Sequence, residues 1–144
     1  EQFNDEELKS SSSHRSSPLH FAILADDLDT VLFLLENNIN VNEPNIFNET
    51  PLHWSCKNGN TEMVKALITY GAKLDVLDKD KNTPLHWAVE SDHDKVVKML
   101  LDNGASQAIK NVDNCTPYQT SIEAHSLKST KLLRKPTAKQ LLKT

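Results

Sequence analysis

The sequence predicts an elongated, all-α solenoid of stacked helix-turn-helix units, and three observations predict it. First, Thr83-Pro84-Leu85-His86-Trp87 restates Thr50-Pro51-Leu52-His53-Trp54 at a step of 33 residues, and the same step reaches Ser17-Pro18-Leu19-His20-Phe21 and Thr116-Pro117-Tyr118-Gln119. A fixed period of this length marks a repeat architecture. Second, every copy opens with the chemistry of a helix start. Third, the first three copies close with apolar residues at helical spacing.

The first helix of each unit begins where Ser or Thr precedes proline. The hydroxyl caps free backbone N–H groups, and proline is preorganised for the first helical position. In the second copy this helix runs to Gly59, where a left-handed residue ends it without Cβ strain. Asp26, Asp92 and His125 hold the same place in the other copies, and these residue types tolerate that backbone better than most. The second helix carries Val31, Leu34 and Leu35 in copy one, Met63, Val64, Leu67 and Ile68 in copy two, and Val96, Val97, Leu100 and Leu101 in copy three. Asn38, Gly71 and Gly104 stop it. Polar connectors such as Asp78-Lys79-Asp80-Lys81-Asn82 lead to the next unit. A single pair of helices this short has nothing to cover its apolar side. Stacking on the next copy removes that side from water, at about 25 cal/mol per Å2.

Copy three, with Thr83-Pro84-Leu85-His86-Trp87-Ala88, Val96-Val97, Leu100-Leu101 and Gly104-Ala105, resembles the ankyrin-repeat pattern, with Asp92 where that pattern has glycine. Copy two matches through Thr50-Pro51-Leu52-His53, Gly59, Met63-Val64, Leu67-Ile68 and Gly71-Ala72. The resemblance covers residues 14–144 in units 14–46, 47–79, 80–112 and 113–144, and it implies β-turn or hairpin tips between units. Residues 1–13, ending in a run of serines, read as a linker or lead-in. The fourth unit departs from the pattern, with Tyr118-Gln119, Ser129-Thr130 and Thr137-Ala138 at its motif positions, and reads as a polar C-terminal cap. After Pro136 the apolar residues suffice for a short docked turn.

The chain has 144 residues, 25% charged and 38% hydrophobic, which suits one domain with a modest core. No apolar run is long enough to span a bilayer, and no signal-peptide pattern precedes the first unit. The chain opens on Glu1 rather than methionine, so the lack of a targeting signal carries little weight. Cys56 and Cys115 stand at non-equivalent places of the repeat, which is neither a disulfide framework nor paired metal-ligand spacing, and points to a reduced, intracellular setting, cytoplasmic or nuclear. Residues 1–46 hold nine acids and two bases, whereas residues 113–144 hold two acids and six bases. Stacked in order, the units form a molecule acidic at one end and basic at the other.

No group of residues reads as catalytic: a nucleophile needs a base within reach and a third group to orient it, and no such set forms. No phosphate loop is present, no cofactor or metal is expected, and the chain reads as a non-enzyme. The resemblance implies that His20, His53 and His86 tie the turns of adjacent repeats together rather than bind an ion, and that Cys56 is core.

The resemblance also implies a partner surface along the concave side, formed by connector tips and first helices. The tip positions are Ile46, Phe47 and Glu49, then Lys79, Asp80 and Asn82, then Val112, Asp113 and Cys115. The first-helix positions include Leu24, Lys57, Asn58, Glu90 and Ser91. Phe47 is an aromatic at a place usually polar, and either anchors a partner or folds back over the acidic first unit. Trp54 and Trp87 share one slot in consecutive units, and either pack between repeats or form an exposed aromatic edge with Phe47. The expected function is a protein–protein interaction module, an adaptor or scaffold that presents a concave groove to a protein or peptide as a monomeric domain. The alternatives are nucleic-acid or anionic-lipid binding through the basic end (Lys128, Lys131, Arg134, Lys135, Lys139, Lys143), or regulation of an enzyme in a larger chain. The acidic balance of the domain argues against nucleic acid.

Overall fold

The computed structural model describes residues 15–135, which form eight helices and no strand. They run α1 (Pro18–Leu24), α2 (Leu28–Glu36), α3 (Pro51–Asn58), α4 (Thr61–Thr69), α5 (Pro84–Glu90), α6 (Asp94–Asp102), α7 (Pro117–Glu123) and α8 (Leu127–Thr130). The lead-in 1–13 and the turn expected after Pro136, with Lys139 and Lys143, lie outside the described residues.

Each first helix starts on its Ser/Thr-Pro step. The hydroxyl oxygens of Ser17, Thr50, Thr83 and Thr116 accept the N–H three residues on, and the side chains of His20, His53, His86 and Gln119 reach back to the cap N–H. These reciprocal bonds satisfy donors that a short helix otherwise leaves open. The helices end by local chemistry too. Gly59 takes φ 78°, and Asp26, Asp92 and His125 take φ 55°, 53° and 56° at the same place.

The helices stack in two layers. First helices pack in series, α1 on α3, α3 on α5 and α5 on α7, while α2, α4, α6 and α8 form the second row. Between the layers lies one continuous core. Leu19, Ile23 and Val31 of unit one, Leu52, Met63, Val64 and Leu67 of unit two, and Leu85, Val96, Val97 and Leu100 of unit three are essentially inaccessible. Burying side chains of this size contributes about 1.5–3 kcal/mol each, and most of the contact is with the neighbouring unit, as a repeat stack requires. Cys56 is fully buried among them.

Unit four closes the stack differently. α8 has only four residues, and hydroxyls fill its interior: Ser121, Ser126 and Ser129 are buried, and Ser126 and Thr120 leave a hydroxyl without a partner among the described residues. The unit is tied to its neighbour by Asp92, whose Oδ1 accepts both the N–H and the hydroxyl of Ser129 at 2.9 Å.

Candidate functional site

The side expected to meet a partner begins with the tips. In each connector one buried or half-buried side-chain oxygen gathers two backbone N–H groups. Asn45 Oδ1 accepts from Phe47 and Glu49, Asp78 Oδ1 from Asp80 and Asn82, and Asn111 Oδ1 from Asp113 and Cys115, all at 2.8–3.1 Å. This is an Asx-type turn, in which the side chain stands in for backbone. The next residues, Asn48, Lys81 and Asn114, then take φ of 58°, 60° and 62°. Neighbouring tips are joined by one backbone bond each, Lys79 N–H to the Phe47 carbonyl at 3.0 Å and Val112 N–H to the Asp80 carbonyl at 2.9 Å. Of the two tip forms the repeat pattern implies, the turn is the one present.

The histidines lock tip to helix across the unit boundary. His53 Nδ1 accepts the Thr50 N–H at 3.0 Å, so Nε2 carries the proton and donates to the Asn82 carbonyl of the next unit at 2.9 Å. His20 bonds the Glu49 carbonyl at 2.8 Å and His86 the Cys115 carbonyl at 2.9 Å in the same way. Burial holds all three imidazoles below their ordinary value of 6.5, against the opposing pull of the carbonyl and nearby carboxylates. They are structural rungs.

The tryptophans stand beside these rungs. Trp54 meets His20 edge-on, with centroids 4.9 Å apart, and Trp87 meets His53 at 5.2 Å. Both are half-buried and packed against the core. Each indole N–H donates to a carboxylate of the connector that leads into its helix, Trp54 to Glu49 Oε1 and Trp87 to Asp78 Oδ2, both at 2.9 Å. The Lys57 ammonium lies 6.0 Å from the centre of the Trp87 ring.

Two adjoining hollows run along this side. The larger, about 390 Å3, is lined by Glu49, Lys57, Asp78, Asp80, Asn82, Trp87, Glu90 and Ser91. The smaller, about 220 Å3, is lined by Leu24, Glu49, Trp54, Lys57, Asn58 and Trp87. They share Glu49, Lys57 and Trp87, and so form one groove spanning units one to three. Of the residues singled out in the sequence, Ile46, Phe47, Lys79 and Asp113 stand at the tips outside these hollows. Ile46 is 44% exposed, whereas Phe47 is half-buried, with the Lys79 ammonium over its ring at 5.4 Å. Phe47 therefore meets the next tip. Lys128, Lys131, Arg134 and Lys135 are exposed on unit four, away from the groove.

Sequence reasoning passed over Asp78, together with its counterparts Asn45 and Asn111. The signal was present: Asn or Asp recurs at the 33-residue step, two and four places before the tip N–H groups that it binds. It also passed over His93, whose Nε2 donates to the Lys57 carbonyl at 2.9 Å and supports the helix end behind the groove.

Burial pushes the Cys56 thiol well above its ordinary range, and burial, reinforced by Glu123 and Asp113, raises that of Cys115, so both are held protonated. No group of three or more His, Cys, Asp or Glu that could hold a metal ion occurs among the described residues. No helix among them is long and apolar enough to cross a membrane.

A family model described as ankyrin repeats, in three copies, matches residues 19–111. A search of curated proteins finds no match to the chain. The matched span ends before unit four, the unit whose second helix is shortest and whose interior is most polar.

Proposed function

Because the chain belongs to the ankyrin-repeat family, we propose that its concave groove is a preformed docking site for a protein or peptide, and that the chain serves as an adaptor or scaffold. Ankyrin repeats generally mediate protein–protein interaction. The observation that carries the assignment to this face is the groove itself. It is continuous over three units, floored by two half-buried tryptophans and walled by hydrogen-bonded tips. A surface already ordered in this way binds at little conformational cost, so a modest contact area yields useful affinity. Its carboxylates repel a phosphate backbone, which favours protein over nucleic acid as the occupant.

Ser91 tests the reading. It is exposed, caps α5 with an ordinary φ of −88° and lines the larger hollow. Ser91→Trp fills the groove without altering charge. The variant is expected to keep its helical circular dichroism and lose capture of partner proteins from cell extract. Capture of the same proteins at undiminished yield would place the docking site elsewhere.

A further inference from the structure

The groove is distinctive in charge. Its larger hollow gathers four carboxylates, Glu49, Asp78, Asp80 and Glu90, against the single cation Lys57. None of the four is neutralised by an ion pair: Lys98–Asp102, on the surface of α6, is the one salt bridge among the described residues. Asp80 and Glu90 have no side-chain partner of any kind among them, and both are exposed. Lys57 itself turns to the face of Trp87 rather than to a carboxylate.

The tryptophans sharpen this. Each gives its indole N–H to a carboxylate, Trp54 to Glu49 and Trp87 to Asp78. A charge-assisted bond of this kind polarises the ring towards a more negative face and sets an anion beside it. Such a ring attracts an ammonium or guanidinium, and Lys57 at 6.0 Å from the Trp87 centroid shows that the face is open to one.

Spacing adds a second constraint. Trp54 and Trp87 hold the same place on adjacent packed helices, α3 and α5. Packed helices lie about 8–10 Å apart, and an extended chain in the polyproline II conformation advances about 3.1 Å per residue with three residues per turn. An extended segment of this kind running along the stack therefore presents every third side chain, on one face, to successive rings.

We infer that the occupant is an extended basic segment of a protein, with Lys or Arg side chains three residues apart seated over Trp54 and Trp87 between Glu49, Asp80 and Glu90. This rests on the groove being the docking site and goes further in naming the chemistry of what docks. Lys57 is then an internal competitor for the Trp87 face and sets the affinity below its ceiling.

The test uses the full chain and three labelled twelve-residue peptides: four repeats of Lys-Ser-Ala, the same composition with the lysines clustered, and four repeats of Glu-Ser-Ala. Fluorescence anisotropy gives the affinities, and tryptophan emission reports contact with the rings. The Lys-Ser-Ala peptide is expected to bind and to change the emission, the clustered peptide to bind more weakly, and the glutamate peptide not to bind. Combined Asp80→Lys and Glu90→Lys should weaken the first peptide about tenfold or more, and Lys57→Ala should tighten it. Equal binding of the lysine and glutamate peptides, equal binding of spaced and clustered lysines, no binding of any peptide, or indifference to Asp80, Glu90 and Lys57 would each overturn the inference. Ser91→Trp separates the two readings. If it abolishes partner capture while the charge reversals leave capture unchanged, the groove stands as the docking site and its basic occupant does not. If it changes neither capture nor peptide binding, the groove reading itself fails.

Discussion

The imidazole of His93 lies directly over Gly59: a Cβ added at residue 59 would come within 2.5 Å of His93 Nδ1, while the same ring donates through Nε2 to the Lys57 carbonyl at 2.9 Å. Unit three thus grips the end of α3 at a point where only a hydrogen atom fits, and the glycine is required twice, once for φ 78° and once for the ring.

Gly59→Ala should therefore be unusually costly for a single methyl. The left-handed backbone contributes about 1–2 kcal/mol, and displacing the ring adds a further overpacking cost of about 1–3 kcal/mol. Urea unfolding measures the total. In the double variant with His93→Ala the second contribution should vanish and the first persist, so the two substitutions should be strongly non-additive.

Stability should fall with acid through the histidine ladder. Burial lowers the folded values of His20, His53 and His86 below 6.5. Above that value all three are neutral in both states, and their contribution is complete. As pH drops below it towards the folded values, the unfolded chain takes up protons that the folded chain refuses, and stability is lost at up to about 1.4 kcal/mol per pH unit per histidine. Urea midpoints at several pH values between 7.5 and 5 should show this slope, and His53→Gln should flatten it. An unchanged slope in that variant would remove His53 from the account.

Asp92 should act as the clasp of the last unit. Asp92→Gly retains the left-handed backbone, as Gly59 does, and removes the oxygen that accepts twice from Ser129. Hydrogen exchange should speed up at Ser129–Leu133, by the equivalent of about 1–3 kcal/mol of local opening, while α3 to α6 keep their protection. Uniform loss across all units would show that the stack unfolds as one body.

Lys81 offers a stabilising change. It is exposed and holds φ 60° at a tip place occupied by Asn48 and Asn114 in the neighbouring units. Asparagine tolerates this backbone better than lysine, so Lys81→Asn should raise stability by about 0.5–1 kcal/mol, seen as a higher melting temperature. A decrease would mean that the lysine side chain makes good its own backbone cost.

Much of the fold was legible because it is locally encoded. The Ser/Thr-Pro steps place helix starts through bonds spanning three residues, and Gly59, Asp26, Asp92 and His125 end first helices through their own φ preferences. The period of 33 then orders the units without any knowledge of their contacts. The tips were less legible, although Asn45, Asp78 and Asn111 organise them through bonds of two and four residues, because a single Asn or Asp in a polar connector carries little signal until its acceptor is seen at work.

What the sequence determined by itself is the unit and its repetition, since short-range capping, turn chemistry and apolar spacing depend only on near neighbours along the chain. What only the tertiary structure decided is the character of the groove. The pairing of Trp54 with Glu49 and of Trp87 with Asp78, the turn of Lys57 onto an indole face and the half-burial of Phe47 beneath Lys79 depend on where side chains meet across a fold. Those meetings are set by stacking, which brings together groups that local preference leaves free to point elsewhere.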